Sequence, residues 1–242
     1  MDGSDDLVNH ATARYALEPH IPQFAQFPMA SGMKVLEIGV GIGADYLEWL
    51  KAGALATGID ISASSIDRAR RRCELAGYKY DLEVADAENL PFESNSFDLV
   101  YSYGVMHHSS NVQRCIDESW RVLKSGGRLR IMLYHDPSLT GLLLWMRFGI
   151  FRGKSIKQSV YEHLESPGTK AFSKREVYKM AQKFDEVVVQ QVFSPGDLLL
   201  HKASPRFQGR LYRMVWLIYP RFLVRKFCRN LGLFLLVSAC KP

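Results

Sequence analysis

A glycine-rich turn, three carboxylates and three histidines carry the chemistry that can be read directly from this chain. The turn is Glu37-Ile38-Gly39-Val40-Gly41-Ile42-Gly43-Ala44. Glycines at a strand-to-helix turn let the backbone bend sharply and let a ligand come close to main-chain N–H groups. The helix that follows adds free N–H groups and the positive end of its dipole. Taken alone, Gly39-x-Gly41-x-x-Ala44 fits a dinucleotide fingerprint and a nucleoside-binding loop equally well. The carboxylates separate the two. Glu37, two residues before Gly39, suits a ligand with a positive charge or an amino group and repels a pyrophosphate. Asp60, nineteen residues after Gly41, is placed to grip two ribose hydroxyls. Asp86 opens Asp86-Ala87-Glu88, a third acidic turn. With no Lys or Arg nearby to hold phosphates, this set describes a cationic nucleoside better than NAD. His107, His108 and His135 are the candidates to take a proton from an acceptor hydroxyl, and local packing is the alternative role for each.

The elements that must position these residues alternate along the chain. Apolar runs at Lys34–Ile38, Leu55–Ile59, Tyr80–Val84, Phe97–Ser102 and Gly127–Tyr134 predict strands. Helical patterns at Ala44–Ala52, Ser64–Ala76 and Val112–Leu123 lie between them. Such alternation predicts right-handed βαβ units, a parallel sheet and helices on both of its faces. Glu37, Asp60 and Asp86 then share the carboxyl edge of the sheet, where open α/β sheets bind ligands. His107, His108 and His135 follow strands four and five at the same edge. Beyond Tyr134 come a long insert, a capping box at Ser173–Glu176 that predicts a helix to about Lys183, and strands at Glu186–Phe193 and Gly232–Cys240.

Four segments, VLEIGVGIGADY, GIDIS, DAENLPFESNSFDLVYSYGVMHH and RVLKSGGRLRIMLY, make residues 34–134 resemble the class I S-adenosylmethionine-dependent methyltransferases, most closely the type 11, small-molecule branch. The resemblance implies a Rossmann-like α/β fold: a seven-stranded, mostly parallel sheet with an antiparallel last strand, helices on both faces, and helical inserts after strands five and six. It also implies S-adenosyl-L-methionine as cofactor. Carried over residue by residue, Gly39, Gly41 and Gly43 would contact its methionine and ribose parts, and Glu37 would orient its amino group. Asp60 would take the ribose hydroxyls, Ile61 would pack on adenine, Asp86 would accept from the adenine amino group, and Ala87 would add backbone contacts. Ser102 and Tyr103 would floor the site beside the sulfonium. One domain is expected over 1–242: a helical cap at 1–33, the cofactor core at 34–134, and substrate-side inserts at 135–172 and 194–230. Transfer of the activated methyl needs positioning and exclusion of water. A hydroxyl acceptor also needs a base, for which His107, His108 and His135 are the candidates. In the cap, Tyr15 is a candidate to close over the methyl group, with packing as its alternative.

The 242 residues carry a net charge of +6, with 47% apolar and 23% charged side chains, which excludes a disordered chain. The charge is uneven. Residues 1–140 hold 13 basic and 19 acidic side chains, residues 141–242 hold 18 and 6, and no carboxylate side chain follows Asp197. Leu139–Ile150, interrupted by Arg147, and Leu231–Ala239 are the longest apolar runs, short of the roughly 20 residues that span a bilayer. The acidic N-terminus lacks a signal-peptide pattern, and Cys73, Cys115, Cys228 and Cys240 form no C-x-x-C pair. The expectation is a cytoplasmic protein with reduced thiols and no metal site. The inserts interleave Trp145, Phe148, Phe151, Tyr212, Trp216, Tyr219 and Phe222 with Arg147, Arg152, Lys154, Arg210, Arg213, Arg221, Arg225 and Lys226. That composition suits amphipathic packing, an anionic membrane surface, an amphiphilic or small acidic substrate, or RNA. The turn Ser102-Tyr103-Gly104-Val105, in place of an N-P-P-Y-like turn, argues against a nucleobase. The reading is methyl transfer at oxygen, nitrogen or carbon of a small-molecule, glycan or lipid-like acceptor, by a monomer or homodimer. The alternatives are a non-catalytic cofactor-binding protein, an RNA methyltransferase, and, ranked last, an NAD-dependent oxidoreductase.

Overall fold

The computed structural model describes residues 12–164, 167–200, 217 and 219–242. Its sheet contains β1 (Lys34–Ile38), β2 (Leu55–Asp60), β3 (Asp81–Val84), β4 (Phe97–Tyr103), β5 (Leu123–His135), β6 (Ala171–Phe172), β7 (Asp185–Val192) and β8 (Phe234–Cys240). The strand order is β3-β2-β1-β4-β5-β8-β7, with β6 pairing with β5 off that path. Strands β1 to β5 run parallel. The last strand runs antiparallel to β5. Lys241 exchanges 2.8 Å backbone hydrogen bonds with Gly126 and Gly127, and further along the His135 N–H donates to the Leu233 carbonyl at 2.7 Å. The seven expected strands are present, and the two-residue β6 is an addition that lies below what a sequence pattern can register. The helix after Ser173 ends at Met180, not Lys183, because the chain turns at 181–184 to enter β7.

The chain divides into two compact units. The first comprises Met1–Leu133, Arg175–Val189 and Leu236–Pro242. Here β1 is buried from Val35 onward, as a strand flanked on both sides requires. Helices α1 (His20–Ala25), α2 (Ala44–Lys51), α3 (Ala63–Leu75) and α4 (Val112–Val122) also belong to this unit. Residues 12–17 are helical too, and a 3-10 turn at Phe27–Ala30 leads into β1. Phe27 meets Trp49 edge-on at 4.4 Å, and Trp49 meets Tyr101 at 5.3 Å. Such pairs add about 0.5–1.5 kcal/mol each beyond their buried area. Arg130 holds the turn by bonding to the Ala25 carbonyl and the Gln26 side chain. At the C-terminus, the buried Lys241 ammonium donates to the Leu123 carbonyl at 2.7 Å and to Asn95 at 2.8 Å.

The second unit comprises Tyr134–Lys174 and Gln190–Leu235. Its first insert holds α5 (Leu139–Leu144), capped by Ser138, and α6 (Ile156–His163), capped reciprocally by Ser155 and Gln158. In this unit α8 (Arg221–Phe227) precedes β8, whereas α7 (Lys174–Met180), which follows β6, belongs from Arg175 onward to the first unit. Of the residues singled out in the second insert, Arg210, Tyr212, Arg213 and Trp216 lie outside the described ones.

Asp197, the last carboxylate side chain, organises this unit. One oxygen accepts from the Thr140 N–H at 2.9 Å and the Thr140 hydroxyl at 2.8 Å. The other accepts from the Ser194 N–H and hydroxyl and from the Leu233 N–H, at 2.9, 3.0 and 2.7 Å. Its own carbonyl takes the Tyr219 hydroxyl at 2.9 Å. Asp197→Asn turns an amide NH2 toward donors and leaves buried polar groups unmatched. About 1–3 kcal/mol is expected for each such group. A thermal scan should show a midpoint lower by at least about 2–4 °C; an unchanged midpoint would rule out Asp197 as an anchor.

Candidate functional site

In the first unit, β1 has β2 on one side and β4 on the other, so the strand order reverses there. A crevice opens at the carboxyl ends of the strands at such a switch point, and the predicted residues converge on it. Glu37 is the penultimate residue of β1, Asp60 ends β2, and Ser102 and Tyr103 end β4.

The glycine turn bridges β1 and β2. The Gly39 and Val40 N–H groups donate to the Ile59 carbonyl at 2.7 and 3.1 Å. Gly39 sits at φ 81°, and a Cβ there would strike the Val105 side chain at 2.2 Å. Gly41, at φ 54°, differs: a Cβ would meet nothing within 4 Å. Both positions need a left-handed backbone, but only Gly39 is also closed to a side chain, while Gly41 faces open space. Gly43 caps the N-terminus of α2. Asp60 braces the turn, accepting the Gly41 N–H on Oδ2 and the Ser62 N–H on Oδ1, both at 2.9 Å. Each oxygen keeps lone-pair capacity for a ribose hydroxyl. Ile61, next in sequence, is 75% exposed, a flat apolar surface at the rim. Asp86 is exposed and accepts the Glu88 N–H at 2.8 Å; Ala87 is half-buried between them.

Among the described residues, Glu37 Oε2 and Ser102 Oγ are buried at this edge with no hydrogen-bond partner. Glu37 is only 4% exposed. Burial, and then the like charge of Asp45, hold its carboxyl well above the usual carboxylate range, although Arg14 opposes them. A carboxyl in that state gains most from a cationic ligand group.

Sequence reading passed over Asp45, in the first turn of α2, where its only signal was an acid at a helix N-terminus. Asp45 is buried and takes Arg14 at 3.2 and 3.0 Å, the Tyr15 hydroxyl at 2.9 Å and the Tyr101 hydroxyl at 2.9 Å. Tyr15, a candidate to close over the methyl group with packing as its alternative, is an anchor of the N-terminal segment. His20 from that segment bonds the Tyr103 hydroxyl at 2.6 Å. Glu88 was likewise overlooked. Its Oε1 gathers Ser109, Ser110 and the Asn111 N–H at 2.7, 2.6 and 2.9 Å, which lowers its pKa to about 2.

Of the candidate bases, His107 and His108 share the 3-10 turn Met106–His108, with ring centroids 4.4 Å apart. His107 is fully enclosed and His108 is exposed. His135 belongs to the second unit; its Nδ1 faces the Gln191 amide at 2.6 Å, and burial first, then Lys174, lowers its pKa. No metal-binding group of three or more His, Cys, Asp or Glu occurs among the described residues.

S-adenosylmethionine offers an ammonium, a sulfonium, a ribose diol and an adenine, and the residues present fit it. The unpartnered Glu37 Oε2, the open face of Gly41, the Asp60 carboxylate and the exposed Ile61 supply the complementary chemistry in chain order.

Residues 36–131 match the family model described as a methyltransferase domain, of type 11. The chain is 36% identical over 110 residues to a demethylmenaquinone methyltransferase of Tropheryma whipplei strain Twist, 45% of each protein. It is 42% identical over 108 residues to phthiotriol/phenolphthiotriol dimycocerosates methyltransferase 1 of Mycobacterium ulcerans, covering 44% of this chain and 38% of that protein. The chain thus matches less than half the length of these curated relatives. Phosphoethanolamine N-methyltransferase 2 of Haemonchus contortus, solved with S-adenosyl-L-methionine, shares the fold at TM-score 0.64 and 20% identity, over 97% of this chain and 52% of that one.

The two glycines give different expectations. Both replacements strain a left-handed backbone, but Gly39→Val also drives a side chain into Val105 and should lose far more stability, whereas Gly41→Val should lose cofactor binding beyond its smaller cost in stability. Calorimetry with S-adenosylhomocysteine and thermal scans check both; wild-type affinity in Gly41→Val would remove the turn from the site.

Glu37 gives a pH dependence. In the free protein burial holds the Glu37 carboxyl above the usual carboxylate range, and an ammonium group beside it would favour the carboxylate. Binding should therefore release a proton, and affinity should rise with pH until Glu37 ionises unaided. Calorimetry in buffers of different ionisation enthalpy should show this release in the wild type and its loss in Glu37→Gln. Equal proton release in both proteins would exclude Glu37 as its source.

Proposed function

We propose that the chain, whose residues 36–131 match the type 11 methyltransferase-domain model, is a class I S-adenosylmethionine-dependent methyltransferase that transfers a methyl group to a small, lipid-like acceptor. The observation that carries this reading is the open face of Gly41 at an edge lined by Glu37, Asp60 and Asp86. The bound cofactor supplies a methyl group already activated on a sulfonium. The chain's own part is positioning and water exclusion. In this reading Glu37 orients the ammonium, and the Gly39–Gly43 turn lies against the methionine and ribose. Asp60 holds the ribose hydroxyls, Ile61 and Ala87 flank adenine, and Asp86 accepts its amino group. Ser102 and Tyr103 line the reacting end. Among the histidines after β4, His108 has the exposure to meet an acceptor.

An amphiphilic acceptor is supported by the surface of α8. On α8, Phe222 is 75% and Phe227 72% exposed, beside Arg225 and Lys226. Apolar side chains among cations gain from an interface with anionic headgroups, each cation adding about 1 kcal/mol. Among the described residues no helix is long and apolar enough to cross a membrane, so contact would be peripheral. The relatives named for demethylmenaquinone and for phthiotriol dimycocerosates support the same acceptor class.

Calorimetry should detect S-adenosylmethionine and S-adenosylhomocysteine but not NAD, and a labelled-methyl assay should place label in a lipid extract. Vesicles containing phosphatidylglycerol should sediment the protein at low salt and release it at high salt. Absence of sedimentation at low salt would confine α8 to a role in solution. Label appearing only in water-soluble products would overturn the lipid-like acceptor.

A further inference from the structure

The first insert turns apolar side chains to solvent where a surface turn ordinarily carries polar ones. After α5 the chain makes a π-helical turn, Trp145–Gly149, and a 3-10 turn, Ile150–Arg152. Gly153, at φ 64°, then reverses it toward α6. At the tip Phe151 is 95% exposed, and Met146 and Ile150, one turn apart, are exposed as well. A helical surface normally keeps its apolar residues on the covered side. Here the outer side is apolar too.

The inner side holds the tip in place. The Trp145 indole N–H donates to the Lys154 carbonyl at 2.7 Å, and the Lys154 N–H donates to the Gly149 carbonyl at 3.2 Å. The Phe148 and His163 rings lie 4.3 Å apart. Gly149 is buried, and a Cβ there would strike Ser159 of α6 at 2.4 Å. Phe151 is therefore displayed by a braced turn. The charge around it has one sign. From 137 to 161 there is no carboxylate side chain, against four cations: Arg147, Arg152, Lys154 and Lys157. Glu162 holds Lys154, whereas Arg147 and Arg152 are exposed on either side of the apolar tip.

We propose that this turn is a membrane-inserting element: Phe151, Met146 and Ile150 enter an anionic leaflet while Arg147 and Arg152 stay at its phosphates. The inference rests on the reading of a lipid-like acceptor and adds to the contact of α8 a second element that penetrates the surface. An aromatic ring and two aliphatic side chains gain from leaving water for the acyl boundary, and flanking arginines gain from the headgroup charge. Arginine can also lay its stem along the apolar surface and keep its head among the phosphates. A nucleic acid would satisfy the cations equally, but Met146 and Ile150 offer no ring for a base to stack on. Hydrocarbon satisfies both halves of the turn. The turn and α8 belong to the same unit, so one unit carries both contacts.

Vesicles of phosphatidylcholine and phosphatidylglycerol, with and without bromine on the acyl chains, test insertion without an identified acceptor. Phe151→Trp places an indole at the tip. Its emission should shift to the blue on these vesicles and be quenched by the brominated chains, beyond any change in the wild type's own tryptophans. Phe151→Ser should weaken partitioning about tenfold. Its thermal midpoint should not move, because a side chain that exposed loses no packing. Neutralising Arg147 and Arg152 with Gln should weaken partitioning about fivefold for each cation at low salt, and far less at high salt. Wild-type partitioning in Phe151→Ser, an unquenched indole at 151, or no binding of the wild type at low salt would each overturn the proposal. If Phe222→Ser alone loses binding, the contact is confined to α8 and the turn has no part in it. The acceptor reading fails on a separate observation, labelled methyl found only in water-soluble products.

Discussion

The buried carboxylate of Asp45 is the constraint on which the first unit depends. It stands in the first turn of α2, where the helix dipole favours an anion, but burial makes that charge costly unless it is fully partnered. The partners come from two directions: Arg14 and Tyr15 from the N-terminal segment, Tyr101 from β4. One side chain thereby joins three parts of the chain that are distant in sequence. Its charge also reaches beyond its bonds, because Asp45 is the nearest cause, after burial, of the raised pKa of Glu37.

This arrangement explains why the N-terminal segment belongs to the site and is more than a cover. Its helical turns are short, and isolated helices of that length are marginal in water. They are held by the Arg14–Asp45 pair, by Phe27 against Trp49, and by Arg130 on the turn that follows α1. His20 is carried to Tyr103 as a consequence. A partly buried ion pair of this kind fixes position better than it adds stability, since desolvation offsets much of its attraction.

The second unit solves a similar problem with neutral donors. Among the described residues Asp197 is buried without a cation among its hydrogen-bond partners, and backbone N–H groups and the hydroxyls of Thr140 and Ser194 bond it instead. In a unit so rich in Arg and Lys, a charge neutralised by local dipoles leaves the cations at the surface. There Arg225 and Lys226 stand beside the exposed rings of α8.

The sequence by itself determined the order of strands and helices, the glycine turn, and the three acids at one sheet edge. Those features follow from periodicity and from turn chemistry, which are local. The antiparallel last strand followed from the family resemblance, and the backbone bonds of Lys241 agree with it. What only the tertiary structure decided was which polar side chains meet. Asp45 with Arg14, Glu88 with Ser109 and Ser110, and His20 with Tyr103 are separated by 31, 21, 22 and 83 residues. No periodicity links positions so far apart, and the residues themselves look like ordinary surface polar groups in a linear reading. The same holds for Gly39 and Gly41: both need a left-handed backbone, and only the packing of Val105 adds a steric bar at Gly39 while Gly41 faces open space.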